Sequence, residues 1–98
     1  MKCPESIEEL KTYFVFDGSC TKIGRARNVD VRLRLLQTGN PNNLIVDIVI
    51  FADVELLFHE YFKNFKVQNE WFDLPDNYKE IVKKMCKYKN LKVWERHD

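Results

Sequence analysis

The run Leu44–Phe51 (Leu-Ile-Val-Asp-Ile-Val-Ile-Phe) limits this chain's fold more than any other stretch. Seven of its eight residues are apolar, and five are β-branched. Alternation is absent, so the run reads as a strand buried on both faces, broken only by Asp47. Such a strand needs a layer of cover on each side.

The other elements follow from local signals. Thr12-Tyr13-Phe14-Val15-Phe16 reads as a strand, Asp17-Gly18-Ser19 as a turn, and Cys20–Gly24 as the returning strand of a hairpin. Ser6–Leu10 reads as a short lead-in helix with Ser6 as N-cap and Glu9 completing a capping box. A helix is expected over Asn28–Leu36, capped by Asn28 and stopped by Gly39-Asn40-Pro41-Asn42-Asn43. A second is expected over Asp53–Lys66, with Asp53 as N-cap. Trp71–Pro75 reads as a packed loop, and Asp76 caps a last helix to about Lys87. The order β-β-α-β-α-α gives an α+β fold, a small three-stranded antiparallel sheet flanked by helices.

With 98 residues the chain suits one domain, 1–98, with a motif-bearing core over 12–74 and a basic helix and tail over 76–98. From Asn77 to Asp98, seven Lys/Arg stand against three acids, although the whole chain carries only +1. A solvated helix face accounts for that bias as simply as a binding patch does. The near-neutral total argues against tight non-specific DNA binding at physiological salt. Cys3, Cys20 and Cys86 are widely spaced and form no CxxC, so neither a zinc ribbon nor a disulfide framework is expected. The N-terminus lacks an apolar h-region, and no run reaches membrane-spanning length. An intracellular protein with no membrane partner is the expectation.

Two charges fall in unexpected places. On the first helix, Val29, Val31, Leu33, Leu35 and Leu36 sweep about half the circumference, and Arg32 projects inside that sector. A guanidinium in apolar surroundings needs a carboxylate or an anionic ligand. Periodicity alone does not separate a structural ion pair from a phosphate-binding group. On the second helix, Glu55 borders an apolar face, and His59 lies one turn later. Such a pair could share a metal or a proton, but two ligands without a third make a weak metal signal.

The order of these residues resembles the GIY-YIG nuclease superfamily, and within it the phage-associated branch that carries KIG in place of YIG. The likeness rests on Tyr13-Phe14-Val15, Lys22-Ile23-Gly24, Arg32 eight residues later, Leu36-Gln37-Thr38-Gly39-Asn40-Pro41, Glu55-Leu56-Leu57-Phe58-His59 and Glu70-Trp71-Phe72. The resemblance implies an endonuclease acting on nucleic acid, DNA foremost, with one divalent ion, Mg²⁺ or Mn²⁺. It implies that Arg32 contacts the scissile phosphate and Glu55 holds the metal. Tyr13 would take part in activating water, with Lys22 in the place of the second tyrosine. An ammonium there would favour a phenolate at Tyr13. His59 belongs to the branch's motif as an acid/base or metal neighbour. Arg25 and Arg27 are candidate flanking phosphate contacts. Glu70-Trp71-Phe72 reads as structural, with Trp71 and Phe72 closing the core against the second helix.

Two departures stand out: Lys11-Thr12 replaces the Gly-Ile before the first tyrosine, and the second tyrosine is absent. The rival readings are a catalytically silent nucleic-acid-binding module and a protein-interaction domain built on Tyr88 and Trp94. Specificity would come from a protein partner or from the shape of the nucleic acid.

Overall fold

The computed structural model describes residues 9–97. Its elements run β1 (Lys11–Phe16), β2 (Thr21–Ala26), α1 (Val29–Thr38), β3 (Ile45–Ile50), α2 (Glu55–Tyr61), β4 (Lys66–Gln68), β5 (Trp71–Phe72), α3 (Tyr78–Tyr88) and β6 (Val93–Glu95). A 3-10 turn, Lys63–Phe65, joins α2 to β4. The fold is α+β, but the expected three-stranded sheet is corrected to six strands, ordered β4-β5-β2-β1-β3-β6 and antiparallel throughout. The three foreseen strands form its centre. The added ones are only two or three residues long, too short to show a period of two.

The β1–β2 hairpin closes on Asp17. Its Oδ1 accepts from the backbone N–H of Ser19 at 2.8 Å and of Cys20 at 2.7 Å. Gly18 takes the left-handed conformation the turn needs, φ 101°. In this register Tyr13 stands opposite Gly24.

Successive β1 residues point to opposite faces, and both faces are covered. On one, Phe14, Ile23, Ile48 and Ile50 pack with Phe58 and Phe62 of the α2 segment and with Tyr78, Val82 and Cys86 of α3. On the other, Tyr13, Val15 and Ala26 meet Val29, Leu33 and Leu36 of α1. The sheet is therefore the middle of three layers. Trp71 joins the α1 face, so only Phe72 closes the core on the α2 side. Cys20 and Cys86 are free thiols.

The helices depart from expectation in instructive ways. Asn28 does cap α1, accepting from the Val31 N–H at 3.1 Å. The stripe of α1 that packs on the sheet, however, is only Val29, Leu33 and Leu36, each partly buried, while Val31 is 42% and Leu35 63% exposed. Arg32 is consequently an exposed residue beside that stripe, not a cation sealed in apolar surroundings. The expected helix over Asp53–Lys66 ends at Tyr61, and Lys66 onward turns into β4. Asn69, in the left-handed region at φ 51°, closes the β4–β5 turn. Asp53 does not cap α2; its Oδ2 accepts from Arg25 Nη1 at 3.0 Å. Likewise Asn77, not Asp76, occupies the N-cap of α3. The lead-in helix expected over Ser6–Leu10 lies largely outside the described residues, and Leu10 itself is not helical. Among the described residues no helix is long and apolar enough to cross a membrane.

Candidate functional site

Thr12 sets the position of α2. Its Oγ1 accepts from the Val54 N–H at 2.9 Å and donates to the Ala52 carbonyl at 2.8 Å. A β1 hydroxyl thus does what the N-cap Val54 cannot do with its own side chain. Glu55, the first residue of α2, is thereby held against β2 and is buried.

Tyr13 is fixed by a glycine. A Cβ built at Gly24 would fall inside contact distance of the Tyr13 Oη, so the ring lies flat across the strand where only glycine leaves room. Its hydroxyl is buried and has no hydrogen-bond partner among the described residues. An orphaned hydroxyl of this kind asks for an explanation, and a ligand is one. Burial raises the phenol's pKa above its ordinary value, and the Arg32 guanidinium only partly offsets it. The phenolate expected from Lys22 is therefore not favoured. The cation that faces Tyr13 is Arg32, and the Lys22 ammonium is held instead by Glu70 Oε1 at 2.6 Å.

A cavity of about 530 Å³ gathers Tyr13, Arg25, Arg27, Arg32, Glu55 and Glu70 on its wall. A neighbouring one contains Lys22 and His59, again with Glu55 and Glu70. The two carboxylates stand where the cavities meet. With His59 they form a group whose ligand atoms lie within 4.8 Å of one another, a set that could hold a metal ion. Arg32 and Glu55 do not pair directly among the described residues. Glu55 instead meets Arg25 at 3.6 Å and His59 at 3.5 Å.

Electrostatics distinguish the two acids. Burial, and then the neighbouring Glu70 charge, raise the pKa of Glu55; His59 and Arg25 offset this in part. Burial would raise Glu70 as well, but the hydrogen bond and charge of Lys22 outweigh it, and Glu70 stays below the usual range. Two carboxylates in one site cannot both ionise freely without a cation between them. Oxygen donors of this type suit a hard divalent ion.

His59 Nε2 lies 2.8 Å from the Ile23 carbonyl. A carbonyl only accepts, so Nε2 carries the proton and is not a lone-pair ligand in this arrangement. The ring also stands edge-on to Phe72, centroids 5.0 Å apart. His59 Nε2 also lies 3.5 Å from Glu55 Oε2, which leaves the Glu55 and Glu70 oxygens as the atoms of the group best suited to a metal ion.

Of the residues expected at the site, Tyr13, Arg32, Glu55, Arg25 and Arg27 reach the first cavity, and Lys22 and His59 the second. Arg25 is already shared between Asp53 and Glu55, whereas Arg27 meets no carboxylate among the described residues. Glu70, whose segment reads as structural with a place near the site left open, is carried into both cavities by the β4–β5 turn. Its only sequence signal is its place beside the aromatic pair Trp71-Phe72.

Residues 9–88 match the T5orf172 domain. The chain belongs to the T5orf172 domain family. No curated protein and no solved structure matches it significantly. The T5orf172 match spans every residue of the two cavities and stops short of β6.

Proposed function

We propose that this T5orf172 domain is a divalent-metal-dependent endonuclease of the GIY-YIG kind, hydrolysing phosphodiester bonds of nucleic acid, DNA foremost. The observation that carries the reading is one cavity that brings together a guanidinium, a buried orphan phenol and two carboxylates from separate elements. An ordinary structural ion pair would bring Arg32 onto Glu55 and leave no room for phosphate or metal.

Arg32 binds two phosphate oxygens in a fork, a geometry lysine cannot reproduce. Glu55 and Glu70 would hold the ion, Mg²⁺ or Mn²⁺, which when bound would supply Lewis-acid polarisation. Tyr13, kept protonated by burial, donates its hydroxyl hydrogen to a substrate oxygen and orients the attacking water, whose proton ends on the leaving oxygen as the P–O bond to it breaks. Lys22 keeps Glu70 ionised, and His59 steadies Glu55. Arg27 takes a flanking phosphate.

The test uses plasmid, branched and single-stranded DNA with Mg²⁺, Mn²⁺ or EDTA. Wild type nicks only with metal, and Arg32→Ala and Glu55→Ala each lose about 10²- to 10³-fold in rate. A second reading, a silent nucleic-acid-binding module, is favoured by the Lys22–Glu70 bond, because an ammonium already neutralises one metal donor. Salt-sensitive binding without cleavage under any metal would decide for it.

A further inference from the structure

Helix α1 covers β2 and β1 but leaves the β3–β6 end of its sheet face open. Val49, Phe51 and Trp94 form the floor of a groove there, of about 410 Å³. Phe51 is 43% and Trp94 46% exposed. Lys11 and Arg27 stand on its rim. The Lys11 ammonium donates to the Arg27 carbonyl at 2.9 Å, a neutral acceptor, and pairs with no carboxylate among the described residues. Lys92 lies 5.3 Å over the Phe51 ring and adds a third cation. Asp30 is the one acid among the described residues lining the groove. Arg27 also lines the cavity that holds Tyr13 and Arg32, so the groove continues directly from the proposed phosphate site.

Cations beside exposed aromatic rings are the two elements of single-strand recognition: phosphates track the charge, and bases stack on the rings. A duplex buries its base faces and would meet the cations while leaving the rings unused. The volume is ordinary for a pocket that seats a small ligand, and so suits one or two nucleotide units. We propose that this groove binds an unpaired nucleic-acid strand running away from the scissile phosphate, with a base stacked on Trp94. The proposal rests on the nucleic-acid reading of the neighbouring cavity, and it makes the preferred substrate one with a single-stranded arm. Trp94 lies beyond the T5orf172 match, so β6 adds the stacking ring to a groove otherwise lined from within the matched residues.

The test is oligo-dT binding to the full chain in EDTA, read by tryptophan quenching and by anisotropy of a labelled oligonucleotide. Saturating oligo-dT quenches emission in wild type, and Trp94→Phe loses most of that quench. Trp94→Ser weakens oligo-dT binding about ten-fold, Trp94→Tyr restores it, and neither changes duplex affinity. Arg27→Ala, at an exposed site with little bearing on folding, lowers the salt slope by about one. Quenching that survives intact in Trp94→Phe would overturn the proposal. So would equal losses on duplex and single strand, or a folded Trp94→Ser that binds oligo-dT like wild type. If Trp94 proves indifferent while metal-dependent cleavage stands, only the groove is wrong. If Trp94-dependent binding stands without cleavage under any metal, only the hydrolytic reading is wrong.

Discussion

Gly24 and Tyr13 act as one unit. The ring needs the missing side chain, and the missing side chain exposes strand backbone that the ring covers. Gly24→Ala forces the ring aside and costs about 1–3 kcal/mol. On the proposed nuclease reading it also lowers cleavage, because the phenol leaves the cavity. In Tyr13→Ala the space is already open, so adding Gly24→Ala to it costs much less. A double-mutant cycle by urea denaturation checks this, with a coupling of at least about 1 kcal/mol expected. Additive losses would mean that the ring and the glycine are independent. Gly24 thus has a steric reason here that does not depend on substrate.

At the level of elements, α2 depends on a hydroxyl from another strand. Thr12→Val keeps the shape but orphans the Val54 N–H and the Ala52 carbonyl, a loss of about 1–3 kcal/mol. Because Glu55 starts that helix, the proposed metal affinity falls with stability, whereas Thr12→Ser keeps both. Thermal melts with and without Mn²⁺ read the two effects together. Thr12 stands where the resemblance led one to expect isoleucine, and the departure has a local structural use. The hairpin, the Asn28 cap and the β3 core strand were legible because each is written in adjacent residues. The short strands were not: β4, β5 and β6 exist through pairing with distant partners, not through propensity. Arg32 is exposed, not set in apolar surroundings as its place on the helix suggests. Periodicity counts apolar residues around α1, but the helix rests on the sheet along three of them, and the rest face outward. The placement of Glu70 in the cavity is not legible in its neighbours, because it depends on a turn at Asn69 and on a lysine far away in sequence.

Over the whole molecule, Asp47 ties the C-terminal quarter to the central sheet. It sits where the β1–β3 register shifts, and it accepts from Tyr78 Oη at 3.0 Å and from Arg96 Nε and Nη2 at 3.1 Å, with Lys79 at 3.7 Å. The one polar residue of the apolar run is thus a satisfied core acid. Asp47→Ala leaves these partners without their acceptor and costs about 2–4 kcal/mol. The same bond makes stability depend on alkaline pH. Burial, and then the Asp47 charge, hold the Tyr78 phenol far above its ordinary range. A raised folded pKa gives stability that is complete below the unfolded value near 10 and is lost progressively as pH rises above it, because the unfolded chain then ionises first. Wild-type stability should therefore fall above about pH 10 more steeply than that of Tyr78→Phe. Urea midpoints of both proteins across that range measure the difference, and parallel curves would refute it.

The strand order carries a kinetic consequence. The β1–β2 hairpin closes locally and can form within microseconds. Lys22 meets Glu70 only when β5 returns to β2, across 48 positions of sequence. Loop-closure entropy makes that pairing a late event. The second carboxylate therefore arrives after the first hairpin has formed, and an incompletely folded chain holds Glu55 alone. Metal affinity would then rise in the last step of folding, so a metal-dependent refolding phase reports the closing of the sheet itself.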